Sequence, residues 1–116
     1  MKIVSKYLPL KHYKWGRLCD GWNLVDEADL SIKLERMPPG TAEEKHYHRK
    51  AQQFFYILKG IAILETDYNT VELMAGEGVY VPAGRKHKIS NQTTQDLEFL
   101  LCSQPSTAHD RINCDE

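Results

Sequence analysis

From about residue 30 the chain is one short run of β-branched and aromatic residues after another, each closed by Gly, Pro, Asn or Asp. That punctuation leaves no room for a long amphipathic helix and points to an antiparallel sandwich or barrel. In LSIKLERM, Leu30, Ile32 and Leu34 alternate with Ser31, Lys33 and Glu35, predicting a strand with an apolar inner face and a wet outer one, ended by Pro38, Pro39 and Gly40. QQFFYILKG and IAILETD predict two neighbouring strands cornered at Gly60. VELMAGEG, VYVPAG, HKISN and LEFLLCS continue the series, with QTTQD as a polar connection. The first thirty residues are less periodic. WNLV is expected as an edge strand, Asp26, Glu27 and Asp29 as a turn, and the tail STAHDRINCDE as frayed chain or a short helix. Trp15 and Trp22 are expected as core or interface anchors.

A length of 116 residues predicts one domain over 1–116, with a core of about residues 22–104. The 15 basic and 16 acidic residues are spread along the chain, which argues against a nucleic-acid-binding face. Lys45, Arg49, Lys50, Arg85 and Lys86 are expected as a solvated rim or as the group that recruits an anionic small molecule. No apolar stretch reaches the roughly 20 residues of a membrane span, and the start lacks a signal-peptide core, so a soluble, cytoplasmic protein is expected. Cys19, Cys102 and Cys114 are odd in number and form no CxxC pair, which predicts free thiols. His12 and His109 lie in the flanks with no second ligand nearby and are expected as surface residues.

His46 and His48 stand at i and i+2, so a strand would aim both at one face, where imidazoles can bind zinc, iron, copper or nickel. Gly40 and Gly60 frame this pair and Gln53; a second group follows, Gly76, Pro82, Gly84, His87 and Asn91. The offsets resemble the two-motif signature of the cupin superfamily, G(x)5HxH(x)3-4E(x)6G and G(x)5PxG(x)2H(x)3N, matched over 40–91 except that Gln53 replaces the acidic residue.

The resemblance implies an all-β fold, a double-stranded β-helix or jelly-roll barrel of two antiparallel sheets. It also implies one divalent transition metal ion (Zn, Fe, Ni, Mn or Cu) on His46, His48, His87 and, as fourth ligand, Gln53. Gln52 is the rival, but only Gln53 keeps six residues before Gly60. Asn91 is expected as a turn residue. Carboxamide for carboxylate leaves the ion with its full charge, a difference on the order of 4 kcal/mol at 4 Å and a dielectric of 20 before desolvation. Such a site would hold metal less tightly and act as a stronger Lewis acid. If Gln53 faces inward, Phe55 and Ile57 do too, giving an apolar wall for a small, partly hydrophobic ligand. Neither motif offers an obvious acid or base.

Two functions are consistent with this. One is a metalloenzyme acting on a small oxygenated molecule as an oxygenase, isomerase or cyclase; the ligand set resembles that of zinc polyketide cyclases of the superfamily. The other is a non-catalytic metal- or metabolite-binding module. A homodimer is expected, because short barrels leave apolar faces and edges that a partner covers.

Overall fold

The computed structural model describes residues 1–114 and contains eleven strands and, among these residues, no helix. In chain order they are β1 (Lys11–Trp15), β2 (Cys19–Asp26), β3 (Ser31–Met37), β4 (His46–His48), β5 (Gln52–Lys59), β6 (Ile61–Thr66), β7 (Thr70–Met74), β8 (Gly78–Val81), β9 (His87–Ser90), β10 (Leu97–Gln104) and β11 (Arg111–Asn113). They form two antiparallel sheets, β1-β2-β3-β10-β5-β8 and β11-β4-β9-β6-β7. This is the expected jelly-roll arrangement.

The core lies between the sheets. Phe55, Ile57, Phe99, Met37 and Leu97 come from the larger sheet, and Ala62, Leu64, Leu73 and Ile89 from the smaller. Phe55 and Phe99 meet at 5.7 Å between ring centroids. Each of the large side chains among these contributes roughly 1.5–3 kcal/mol by leaving water. The chain passes from β5 in one sheet to β6 in the other at Gly60, whose φ is +86°. A Cβ there would also collide with the Asp96 carbonyl oxygen, so the corner requires glycine twice over.

Three expectations are corrected. WNLV is not an edge: β2 is flanked by β3 and by β1, which takes the edge from the unremarkable sequence KHYKW. The tail does not fray or form a helix. Arg111–Asn113 pairs with β4, Arg111 opposite His48 and Asn113 opposite His46; Asp115 and Glu116 lie outside the described residues. Strand β3 has its faces reversed. Ser31 and Met37 are buried while Leu30 is exposed, and Lys33 and Glu35 point into the barrel. Alternation shows that a strand has two unlike faces; here the polar one turns inward because the barrel interior holds a polar cavity.

Candidate functional site

β4 and β9 are neighbours, and their register sets His46 directly opposite His87. His48, two residues along β4, shares their face. Ring centroids lie 4.4 Å apart for His46–His87, 4.9 Å for His46–His48 and 5.9 Å for His48–His87. One ring nitrogen from each lies within 4.8 Å of the other two, and all three side chains are buried.

Each histidine is held by a backbone carbonyl at Nδ1. The acceptor is the Glu44 oxygen for His46 at 2.9 Å, the Asp110 oxygen for His48 at 2.8 Å and the Arg85 oxygen for His87 at 2.9 Å. A carbonyl can only accept, so Nδ1 carries the proton and donates it, leaving Nε2 with its lone pair. Burial also disfavours the charged ring, holding His46 down at about 3, His87 at about 4 and His48 below its usual range. The three rings are therefore neutral at neutral pH, the form a metal ion requires.

Gln53 faces the triad's cavity from β5 in the opposite sheet. Its Nε2 donates to Ser103 Oγ at 3.0 Å, while its Oε1 is buried with no protein partner; His87 Nε2 is likewise buried and unpartnered. Two orphaned acceptors beside two further imidazoles are costly unless a cation is accommodated, so this donor set fits a divalent ion. Gln52 points the other way, its amide donating to Gln104 and accepting from Tyr80. Asn91 is a turn residue, as expected: its amide donates to the Met37 and Gln95 carbonyls and its oxygen accepts from the Thr93 N–H.

The cavity beside the triad encloses about 230 Å³. His46, His48, Gln53 and Phe55 line it, and Phe55 meets His87 edge-on at 5.9 Å. Trp15 and Leu101 extend the apolar wall. The remaining wall was not foreseen: Tyr13, Lys33, Glu35, Glu43 and Arg111. The recruiting cations expected from sequence, Lys45, Arg49, Lys50, Arg85 and Lys86, are not among its lining residues.

Glu43 occupies one of the five unspecified positions between Gly40 and His46, so an acid does stand within the first motif. Burial pushes its carboxyl up to about 8, with Glu35 adding to the rise. Its Oε2 is 3.6 Å from His46 Nδ1. Since that ring is neutral and its proton goes to Glu44, this is contact between neutral groups and not an ion pair. Glu35 is also pushed up by burial, although the Tyr13 hydroxyl, Lys33 and Arg111 pull against the rise. The usable signal for Glu35 was the β3 alternation read with the opposite face inward. Arg111 had no local signal, because it enters the site through a pairing with a segment distant in sequence, and Tyr13 had none because its reach to the cavity depends on the β1–β2–β3 register.

Comparison with known proteins fits this picture. The model of the cupin domain family matches residues 33–103. An uncharacterized protein of Methanocaldococcus jannaschii is 31% identical over 88 residues, covering 76% of this chain and 70% of that protein. The polyketide synthase protein CurC of Streptomyces cyaneus is 27% identical over 81 residues, 66% of this chain but 53% of its own length. Among solved structures, the polyketide cyclase RemF of Streptomyces resistomycificus superposes with a TM-score of 0.80 at 19% identity, covering all of this chain and 87% of that one. A predicted oxalate decarboxylase of Thermotoga maritima gives 0.78 at 21% identity, covering 90% and 100%. At these identities the structural likeness is one of fold. The match over most of the barrel, together with the three converging histidines, establishes that the chain belongs to the cupin domain family.

Proposed function

We propose that the chain is a metal-dependent enzyme that moves protons on a small, partly hydrophobic oxygenated molecule, in the manner of an isomerase or cyclase. The observation that carries this reading is the convergence of three Nδ1-anchored histidines beside a cavity that His46, His48 and Gln53, with its unpartnered oxygen, line together. His46, His48, His87 and Gln53 would hold the ion, which would supply Lewis acidity towards the ligand's oxygen atoms. The chain's own residues do the rest. Trp15, Phe55 and Leu101 take the apolar part of the ligand and exclude water from that side. Lys33 and Arg111 give the cavity positive charge, which favours an oxyanion or an anionic ligand. The polyketide-related names among the relatives support a cyclase-type reaction.

The test is metal analysis of protein purified without added metal, followed by titration of the stripped protein with zinc. We expect one ion per chain, about 100-fold weaker binding in His87→Ala, and about tenfold tighter binding in Gln53→Glu. A wild-type chain that takes up no divalent ion would remove this reading. Unchanged or weaker affinity in Gln53→Glu, with a lower melting temperature of the metal-free variant, would leave a three-histidine site. Tight metal and ligand binding without turnover would identify a binding module.

A further inference from the structure

Tyr13, Gly21 and Glu35 form one cross-strand row on the inner face of β1, β2 and β3: Tyr13 is opposite Gly21, and Gly21 opposite Glu35. The middle member has no side chain. A Cβ on Gly21 would collide with the Tyr13 ring, so glycine lets the phenol lie across β2 and donate its hydroxyl to Glu35 Oε2 at 2.5 Å. Lys33 places its ammonium 5.6 Å from the centroid of the same ring. Tyr13, Lys33 and Glu35 all border the cavity that His46 and His48 line.

This arrangement is poorly explained by stability. Glu35 is half-buried in the cavity wall and is absent from the ion pairs of the described residues. A carboxylate so placed, compensated by one phenol and by cations only at longer range, is disfavoured relative to an apolar side chain of similar size. The same features suit a group that exchanges protons with a ligand. It borders the cavity, it is held in one orientation, and its neighbour is a donor that can follow its charge.

We propose that Glu35 is the acid–base residue of the cavity, taking a proton from a C–H bond next to a ligand carbonyl and giving it back, with Tyr13 positioning the carboxylate. This rests on the metal-dependent reading above and names the group that moves the proton. Glu35 Oε accepts the proton, and the electron pair of the broken C–H bond stays on the ligand, delocalised onto its carbonyl oxygen. The proton then returns from Glu35 to the same carbon or to the neighbouring one. Glu35 ends as it began, and no oxidant or reductant is consumed. The charged and titratable groups facing Glu35 are Tyr13 on β1, Cys19 on β2, Lys33 on β3, Glu43 before β4 and Arg111 on β11. Burial raises the carboxyl, which strengthens it as a base, while Tyr13 keeps it from rising further.

The probe is 2-hydroxyacetophenone, whose ring suits the Trp15–Phe55 wall and whose α-hydroxyketone carries an acidified C–H. Exchange of its methylene protons in heavy water is followed by NMR with zinc-saturated protein. Wild type should exceed zinc and buffer alone by about tenfold or more, and Glu35→Gln should lose that gain while binding zinc and probe as wild type does. Glu35→Asp, which keeps the acid, should retain part of it. Tyr13→Phe should move the base limb of the pH profile up by about one unit. A second readout needs no turnover. In metal-free protein labelled at the glutamate carboxyl carbon, the resonance removed by Glu35→Gln should titrate above the ordinary 4.5 and rise further in Tyr13→Phe. Full exchange in Glu35→Gln overturns the proposal, as does bound zinc and probe without exchange in wild type; both outcomes leave the metal reading standing. Absence of zinc binding overturns both.

Discussion

The histidines and Glu43 titrate in opposite senses, and the metal-free protein should show it. His46 and His87 are held at about 3 and 4, below the 6.5 of an unfolded chain. The unfolded state therefore binds protons first, and stability is lost as the pH falls from about 6.5 through 4. Glu43 is raised from 4.5 to about 8, so its contribution is complete below 4.5 and is lost as the pH rises through 8. Melting temperatures of the metal-free protein should peak near about pH 6.5. Glu43→Gln should flatten the alkaline side and steepen the acid side; a wild-type curve already flat between about pH 6.5 and 8 would contradict the Glu43 assignment. At this scale His46 and His48 were legible from their i, i+2 spacing, and His87 from the resemblance to the second cupin motif. Glu43 was not, since nothing in GTAEEKH distinguishes it from Glu44; only burial against the second sheet does.

Among the elements, the short C-terminal strand matters more than its sequence suggests. Asp110, just before β11, accepts from the N–H groups of Arg49, Lys50 and Ala51 at 2.9, 3.1 and 3.0 Å, while its carbonyl accepts from His48 Nδ1. The turn between the last β4 histidine and β5 is thereby tied to the tail. Burial opposes ionisation of Asp110, but the three N–H donors outweigh it and keep the carboxyl below its ordinary range. Asp110→Ala should cost about 1–3 kcal/mol in urea unfolding and weaken zinc binding up to about tenfold, because the backbone carbonyl that accepts from His48 is no longer anchored to the 49–51 turn by its own side chain. Unchanged metal affinity would show that the Asp110 carbonyl holds the ring without help from the side chain. The tail looked featureless in sequence because its pairing partner lies 63 residues upstream, Arg111 against His48. Periodicity within a three-residue strand carries almost no signal.

For the molecule as a whole, the larger sheet turns an apolar outer face to solvent. Ile32, Cys102, Phe54 and Tyr80 form a continuous row across β3, β10, β5 and β8, with Phe54 and Tyr80 exposed. Leu30 and Leu58 add to the exposed apolar surface. We propose that a second copy of the chain covers this face. Sedimentation should show a dimer at micromolar concentration and a monomer for Phe54→Lys. A monomeric wild type would leave the patch to some other partner. Among the described residues no helix is long and apolar enough to cross a membrane.

By itself the sequence determined the all-β class, the corners of the barrel and the His46–His48 pair, because turn chemistry and i, i+2 spacing act over a few residues, while His87 was implied by the resemblance to the cupin motifs. Which way β3 faces, which cations enter the cavity, and that Tyr13 reaches Glu35 across Gly21 were decided by tertiary structure. These depend on the register between strands, where a side chain's role is set by what packs opposite it and not by its neighbours in the chain.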